Sequence, residues 1–188
     1  MNNYSLEELR ALLGAVGSHV HVHRSVEFFN PKKITLGSHV RIDCFCVLSA
    51  GKEGIDIRNY IHIAANTHLF GSGGQILIED FSNLSSRVSL FTSNDDYVEG
   101  HLSNPTIPEN YKKVKQGPVI LRKHAIVGCG SILLPSVEVG LGGAIGALSL
   151  VKKDVPEFFI MGGVPARKLG ERSKELLNKE KEFLKAHA

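Results

Sequence analysis

An aliphatic residue recurs at every sixth position over much of this chain. Up to Leu90 the repeat comes in groups of three, and the last residue of one group lies eight or nine positions before the first of the next. From Leu121 the repeat is uninterrupted. The series is Val16, Val22, Phe28, Leu36, Ile42, Leu48, Ile57, Ile63, Leu69, Ile78, Leu84, Leu90, Leu121, Val127, Leu133, Val139, Ile145 and Val151. Neither a helical period of about 3.6 nor a strand period of 2 produces this spacing. The pattern predicts a coil of three short flat faces, each hexad forming one face with its aliphatic side chain pointing inward.

A second set of positions fits the same register. The residues four places after the aliphatic ones are mostly small or β-branched, as the interior of a narrow prism requires. They are Val40, Cys46, Ile61, Thr67, Ser82, Val88, Ala125, Ser131, Val137, Gly143 and Ser149. The chain is therefore predicted to be a mainly β solenoid, in which each coil buries its apolar side against its neighbours.

Helices are predicted only at the two ends. Ser5 and Glu8 form a capping box before an apolar stripe, which predicts a short helix within residues 1–15 that covers the first coil. The solenoid is predicted over residues 16–170, and good helix formers predict a second helix over residues 171–188. Residues 92–118 break the repeat and are rich in turn formers and charges. Long irregular loops in compact domains are often functional, which makes this one a candidate site.

Composition and charge exclude several classes of protein. The chain has 188 residues, of which 43% are hydrophobic and 22% charged, and its net charge is +3. No apolar run approaches the roughly 18 residues of a membrane span, and the start lacks the features of a signal peptide. The small charge and the absence of an aromatic-interleaved basic patch argue against nucleic acid. Three cysteines without metal-like spacing favour reduced thiols, so we expect a cytoplasmic protein.

Three features together resemble a known family. The hexads, the extruded loop and the segment IMGGVPARKL from Ile160 to Leu169 are similar to the hexapeptide-repeat acyltransferases. Within them the chain looks most like the sugar acetyltransferases of the galactoside and maltose type, and their relatives that modify lipopolysaccharide and nucleotide-linked sugars. The resemblance covers residues 16–170. It implies a left-handed parallel β-helix, a homotrimer, and acetyl-CoA as co-substrate in a groove between subunits.

The acceptor site departs from the pattern of the galactoside and maltose enzymes. Their catalytic histidine stands five positions after the aliphatic residue that precedes the loop, and here that position is Asp95. An ordinary aspartate, with a pKa of about 3.9, is a weak base for a hydroxyl. Their acceptor-site tyrosine corresponds to His62, which we therefore expect to be the general base, oriented by Asp95 or Asp96 across the subunit interface. Asn83, Asp96 and His101 are candidates for binding the substrate, and His101, in the loop, is also a further candidate for the base.

Other histidines lie in outward positions of the hexads. His39, His68 and His124 have no evident partner in the sequence and are expected at the surface.

The donor side is implied by the resemblance and by residue size and charge. Small residues leave room for a pantetheine arm along one edge of the prism, at Gly128, Cys129, Gly146 and Ala147. Cations that follow the last hexads match the positions where the family holds the CoA phosphates, namely Lys152, Lys153, Arg167 and Lys168. No metal is expected at this site.

The expected reaction is direct attack by an acceptor on the thioester carbon of acetyl-CoA, because no nucleophile elbow is present and Cys129 lacks a neighbouring base. The sequence favours O-acetylation of a sugar or polysaccharide precursor slightly. The alternative is N-acetylation of a nucleotide-linked amino sugar, because a neutral amine attacks with less help than a hydroxyl. A second alternative from another class is a metal-dependent, carbonic anhydrase-like protein or a non-catalytic structural subunit.

Overall fold

The computed structural model describes residues 2–187 as a three-faced parallel β-helix with an extruded loop and a short helix near each end, which confirms the predicted fold class. Before the loop, the strands are β1 (Ala15–Val16), β2 (His21–Val22), β3 (Glu27–Phe29), β4 (Ile34–Leu36), β5 (Val40–Ile42), β6 (Val47–Ala50), β7 (Ile55–Ile57), β8 (Ile61–Ile63), β9 (His68–Gly71), β10 (Ile76–Ile78), β11 (Asn83–Leu84) and β12 (Ser89–Phe91). The remaining strands are β13 (Ser93–Asp95), β14 (Val114–Gln116), β15 (Val119–Leu121), β16 (Ile126–Val127), β17 (Ile132–Leu133), β18 (Val137–Val139), β19 (Ala144–Ile145), β20 (Leu150–Val151), β21 (Phe159–Gly162) and β22 (Arg167–Glu171).

Strands of successive coils stack in parallel on the same face. The first face has the order β1-β4-β7-β10-β15-β18, and the third face runs β3-β6-β9-β12-β17-β20. The second face runs β2-β5-β8-β11-β16-β19-β21 and ends in β22, which pairs with β21 in the antiparallel direction. Because the chain returns to the same face after each coil, residues about 20 positions apart become direct neighbours.

The predicted inward positions form the core. All the residues of the hexad series are buried except Val16 and Phe28, which are partly buried and pack against the same core. Both belong to the first coil, which has a neighbouring coil on one side only. The residues four places further on are also inside: Cys46 and Thr67 have no exposed surface, and Ser82 is 1% exposed. Alternation within each short strand then leaves the intervening side chains outside, where they can form a site.

The corner between the first and second faces carries a column of stacked rings. His19, His39, Tyr60, Phe81 and His124 all have positive φ values, between 54° and 62°. Each ring stacks on the next with centroid separations of 4.6 to 5.1 Å. The left-handed backbone, uncommon for residues other than glycine, thus recurs from coil to coil at this corner.

The amino-terminal helix α1 (Leu6–Leu12) has the predicted capping box. The Ser5 hydroxyl accepts a hydrogen bond from the Glu8 backbone N–H, and the Glu8 carboxylate accepts one from the Ser5 N–H. Leu9 and Leu13 are buried against the first coil. The helix therefore covers the open end of the solenoid, as its apolar stripe predicts.

The carboxy-terminal segment differs from the sequence prediction in two respects. Its first part is the strand β22, and the helix α2 (Leu176–Ala186) begins five residues later than expected. The helix lies against the column of stacked rings, where Phe183 contacts Tyr60 and Phe81 edge-on. Neither helix within residues 2–187 is long and apolar enough to cross a bilayer.

His124 is buried by this helix, so its predicted surface location was wrong. The Glu180 carboxylate lies 2.7 Å from His124 Nε2 and also pairs with Lys123, and the His124 and Glu180 side chains are each only 10% exposed. The sequence did not suggest this because His124 and Glu180 are 56 residues apart.

The loop of residues 92–118 is less irregular than its sequence suggests. Strands β13 and β14 pair in the antiparallel direction, with Asp95 opposite Val114, so the loop leaves the prism as a hairpin. A 3-10 turn at Glu109–Tyr111 lies between the two strands, shortly before β14. The hairpin places Asp95 at the end of a strand anchored to the fourth coil, rather than on a free loop.

Candidate active site

A row of polar side chains crosses the first coils of the second face. Strand pairing places Arg41 beside His62 and His62 beside Asn83 on the outer surface. Asp43, in the turn after β5, joins this row: its Oδ1 accepts a hydrogen bond from Arg41 Nε at 2.7 Å, and its Oδ2 lies 2.8 Å from His62 Nε2. The other ring nitrogen of His62, Nδ1, lies 3.1 Å from Asn83 Oδ1.

Both ring nitrogens of His62 are engaged within this chain. Nε2 lies within hydrogen-bond distance of Asp43, and Nδ1 within hydrogen-bond distance of Asn83. A general base needs a free lone pair on one nitrogen. Within this chain, the carboxylate that contacts His62 is Asp43. The role of His62 as general base, and its orientation by Asp95 or Asp96 of a neighbouring subunit, stay predictions.

Asp43 is held in its charged form. Partial burial raises the pKa of this carboxyl, but hydrogen bonds and charge attraction from His62 and Arg41 outweigh burial, and the pKa lies below its ordinary value of 3.8. The carboxylate therefore remains ionised at neutral pH and fixes both neighbours.

The row borders a cavity of about 580 Å³ at the start of the prism. Arg41, Asp43 and Cys44 line it together with Asn3, His21 and His23. Arg41 and Asp43 were not among the site residues predicted from the sequence. The 21-residue spacing of Arg41, His62 and Asn83 could have found Arg41, because it places all three in one outward column.

The loop residues divide into two roles. Asp96 accepts hydrogen bonds from the backbone N–H groups of Val98, Glu99 and His101, and the His101 ring lies 2.9 Å from its Oδ2. These hydrogen bonds, first those from the Glu99 and Val98 backbone, hold the pKa of Asp96 well below its usual range. Asp96 and His101 are thus engaged inside the loop, which argues against their predicted contact with substrate.

Asp95 is less engaged. Its Oδ2 accepts one long hydrogen bond, 3.3 Å, from the Asn104 N–H, and within residues 2–187 its Oδ1 has no hydrogen-bond partner. Asp95 lines a cavity of about 390 Å³ with Asp96, Glu99, Lys113 and Lys115. Lys113 pairs with Glu99 at 2.5 Å, and Oδ1 of Asp95 remains open as an acceptor for a ligand. An ammonium or amine group is the complementary ligand.

The four predicted donor-site cations meet at one place. Lys152, Lys153, Arg167 and Lys168 line a single cavity of about 490 Å³, with Phe159, Met161 and Pro165 on its apolar side. This juxtaposition depends on β22, which folds back along β21 and brings Arg167 and Lys168 beside the end of β20. The cavity combines a cationic rim with an apolar wall, as a phosphate-bearing ligand with an apolar arm requires.

The small residues predicted for the donor groove serve two purposes. A Cβ on Gly128 would lie 2.5 Å from the Ala147 backbone nitrogen, so glycine at this position allows close stacking of successive coils. Cys129 and Ala147 are exposed along the corner between the second and third faces, and a Cβ on Gly146 would be tolerated at 3.6 Å from its nearest neighbour. The edge is open at Cys129 and Ala147, whereas Gly128 is required by packing.

Within residues 2–187, no three side chains of histidine, cysteine, aspartate or glutamate converge in a geometry that could hold a metal ion. His62, the histidine closest to the predicted acceptor site, has an aspartate and an asparagine as its partners.

Comparison with known proteins agrees with this architecture. No protein-family profile matches the chain. It is 46% identical over 169 residues to a dTDP-4-amino-4,6-dideoxy-D-glucose acyltransferase from Escherichia coli, a match covering 90% of this chain and 88% of the relative. AntD, an N-acyltransferase from Bacillus cereus solved with dTDP and 3-hydroxybutyryl-CoA, is 42% identical and superposes with a TM-score of 0.93, over 99% of this chain and 98% of AntD.

A hexapeptide-repeat acetyltransferase from Vibrio cholerae shares the fold at 20% identity, with a TM-score of 0.57 over 92% of this chain and 85% of that protein. The two closer relatives match nearly the whole length of the chain and are acyltransferases. With this coverage, and with the hexads in the core of a parallel β-helix, the chain belongs to the hexapeptide-repeat acyltransferases and is an acyltransferase.

Proposed function

We propose that this enzyme transfers an acyl group from a CoA thioester to the amino group of a dTDP-linked 4-amino-4,6-dideoxy sugar. The Escherichia coli relative is named as an acyltransferase of dTDP-4-amino-4,6-dideoxy-D-glucose, and AntD is solved with dTDP. They favour the N-acyl alternative of the sequence analysis over its slightly preferred O-acetylation. The observation that carries the proposal is Asp95: a carboxylate with an open oxygen occupies the position where the hydroxyl-acetylating enzymes are expected to have histidine.

The chemistry follows from what a carboxylate can do. An amine in its neutral form carries a lone pair that attacks the thioester carbonyl carbon, forming the C–N bond of the amide. The C–S bond then breaks and CoA leaves as the thiolate, while the nitrogen loses one proton. Asp95 accepts a hydrogen bond from the attacking amine, holds its lone pair towards the thioester and receives that proton, which passes on to the sulfur. No acyl-enzyme is required.

The donor is proposed to lie along the corner between the second and third faces. Its phosphates would meet Lys152, Lys153, Arg167 and Lys168, because these cations surround one cavity and form a rim complementary to a polyanion. The arm would extend past the open edge at Ala147 and Cys129 towards the coil from which the loop leaves. A loosely bounded edge of this kind accepts acetyl and short hydroxyacyl groups alike.

The enzyme is proposed to be a homotrimer. Large apolar side chains are exposed on and beside the third face, among them Phe29, Phe45, Ile132 and Leu148, with exposed fractions of 38% to 72%. Subunits packed along these surfaces would bury them and place the loop of one subunit beside the corner groove of the next. Light scattering should give three times the chain mass of 20.5 kDa, and a stable monomer at micromolar concentration would contradict a shared site.

The acceptor class can be tested by direct competition between an amine and a hydroxyl. Purified enzyme is supplied with acetyl-CoA or 3-hydroxybutyryl-CoA, and with either dTDP-4-amino-4,6-dideoxyglucose or dTDP-glucose, and the products are identified by mass spectrometry. We expect acylation of the amino sugar only. Acylation of dTDP-glucose at a comparable rate, or no product from the amino sugar with either donor, would overturn the proposal.

The role of Asp95 is tested in the same assay. Asp95→Asn keeps the shape of the side chain but removes its charge and basicity, and should lower kcat about 10²–10⁴-fold, the usual range for a general base. Glu109→Gln is the matched control, because Glu109 is a carboxylate of the same loop that is 87% exposed and pairs only with Lys112. Equal activity of the two variants would remove Asp95 from the mechanism.

A further inference from the structure

The cavity at the start of the prism is lined by one arginine and one carboxylate, Arg41 and Asp43. Asp43 is the only carboxylate on its wall, and both of its oxygens are already engaged, one by Arg41 and one by His62. The other polar side chains of the lining are Asn3, His21, His23 and Cys44. With both oxygens of Asp43 engaged, the donors that the wall offers to a ligand include the Nη groups of Arg41.

Arg41 is oriented by Asp43 but keeps hydrogen-bond donors for a ligand. Its Nε donates to Asp43 at 2.7 Å, while among the described residues its two Nη groups have no hydrogen-bond partner, and the side chain is 65% exposed. Asp43 is in turn fixed by His62, so the guanidinium has one edge anchored and the other free. A planar fork held in this way suits the paired oxygens of a phosphate group.

His23 adds a donor of defined tautomer. The Ser25 backbone N–H donates to His23 Nδ1 at 3.1 Å, so in the neutral ring Nδ1 carries no proton and Nε2 carries one. The wall of the cavity therefore includes a second group able to donate to an anion, and none of its members presents an unengaged carboxylate oxygen.

This cavity cannot belong to the same phosphate site as the donor cavity. Arg41 lies on β5, whereas the donor cavity is beside β21, five strand positions further along the second face. At about 4.8 Å per strand, the separation is roughly 24 Å. Arg41 and the four donor-site cations are therefore too far apart to contact one phosphate group, and the loop with Asp95 leaves the prism at the fourth coil, between them.

We infer that Arg41 binds the diphosphate of the nucleotide-linked acceptor, and that Asp43 and His62 are positioning residues that aim it. The inference rests on the proposed function and extends it, by assigning the acceptor's nucleotide to the first coils. The amino sugar would then extend from this cavity towards the fourth coil, and the CoA thioester would approach from the opposite end.

The test measures binding of dTDP and of CoA separately by calorimetry. Arg41→Gln should raise the Kd for dTDP about 10- to 100-fold, as expected for the loss of a charge-assisted phosphate contact, and leave the Kd for CoA unchanged. Arg58→Gln is the matched control: Arg58 is 56% exposed and pairs with Asp56 across one residue, as Arg41 does with Asp43, but lies outside the cavity. It should bind both ligands as the unmodified enzyme does.

A second variant tests the positioning role. Asp43→Asn keeps Arg41 but releases it, so the KM for the nucleotide sugar should rise while kcat changes little, because the lost contact serves substrate and transition state equally. A fall in kcat with unchanged KM would instead mean that the network acts on the chemistry, and would overturn the inference.

The outcomes separate the two proposals. If the unmodified enzyme acylates the amino sugar and binds dTDP, but Arg41→Gln binds dTDP equally well, the diphosphate lies elsewhere and only the present inference fails. If the unmodified enzyme neither binds dTDP nor acylates the amino sugar, the proposed function fails and this inference fails with it. Retention of CoA binding by each variant shows that the fold is intact.

Discussion

Replacing Arg167 by alanine should weaken CoA binding without slowing the chemical step. Four cations line the donor cavity, but they are not equally available. Lys168 Nζ pairs with Glu171 at 2.6 Å and lies 3.8 Å from the centre of the Phe159 ring. The described hydrogen bond of Arg167 is to the neighbouring Ala166 carbonyl at 3.3 Å, through one Nη only, so most of its guanidinium donors remain available for phosphate.

The expected loss of CoA affinity follows from how many donors of Arg167 and Lys168 remain available for phosphate. A hydrogen bond to a charged group contributes about 1.5–3 kcal/mol, and about 1.4 kcal/mol corresponds to tenfold in Kd. Because Arg167 is exposed and its contact would be screened by water, the lower end applies, and Arg167→Ala should raise the Kd for CoA about tenfold. Lys168→Ala should cost less, since Glu171 already holds part of its charge.

Calorimetry with CoA and steady-state kinetics with a CoA thioester provide the assay. We expect a higher KM for the thioester, an unchanged kcat and an unchanged Kd for dTDP. Lys179→Ala is the control, because Lys179 is an exposed lysine of α2 that pairs only with Glu182. If Arg167→Ala and Lys153→Ala each bind CoA as tightly as the unmodified enzyme, the phosphates lie outside this cavity and the reasoning is refuted.

Three further predictions concern stability. Glu180→Gln should release α2 from the body, seen as faster proteolysis of the carboxy-terminal segment, whereas Glu182→Gln, on the exposed side of the helix, should not. Burial raises the pKa of Glu180, but the hydrogen bonds from Lys123 and His124 lower it more, so the folded pKa lies below its ordinary value of 4.5. The stabilisation of α2 by Glu180 is therefore present above pH 4.5 and is lost as pH falls through the lower folded pKa. Hydrogen-exchange protection of α2 that does not change with pH across this range would argue against the contact. Asp96→Asn should loosen the loop and raise protease sensitivity between residues 96 and 113, with the prism melting at an unchanged temperature; an unaltered cleavage pattern would mean that the loop is held elsewhere. Ile63→Ala, at a position with no exposed surface in the middle of the prism, should reduce the free energy of unfolding in urea by about 2–5 kcal/mol, and a loss below 1 kcal/mol would contradict its place in the core.

The amino-acid sequence by itself determined the architecture of the prism. A six-residue repeat specifies which side chains face inward, because each hexad forms one short face of a coil with the same geometry. Ile42, Ile63 and Leu84 are buried in neighbouring strands for this reason alone, and the outward column of Arg41, His62 and Asn83 follows from the same register. The capping box at Ser5 is equally local, since its partners are three residues apart.

Tertiary structure decided the partners of the polar side chains. Periodicity places His62 on an outer surface but does not show that Asp43, 19 residues earlier, turns back from the corner to hold its Nε2. Glu180 reaches His124 only because β22 reverses the chain and lays α2 along the stacked rings, and the same reversal completes the donor cavity with Arg167. Burial follows a repeating local pattern that can be read along the chain, whereas a hydrogen bond depends on where two distant segments meet to within a few tenths of an ångström.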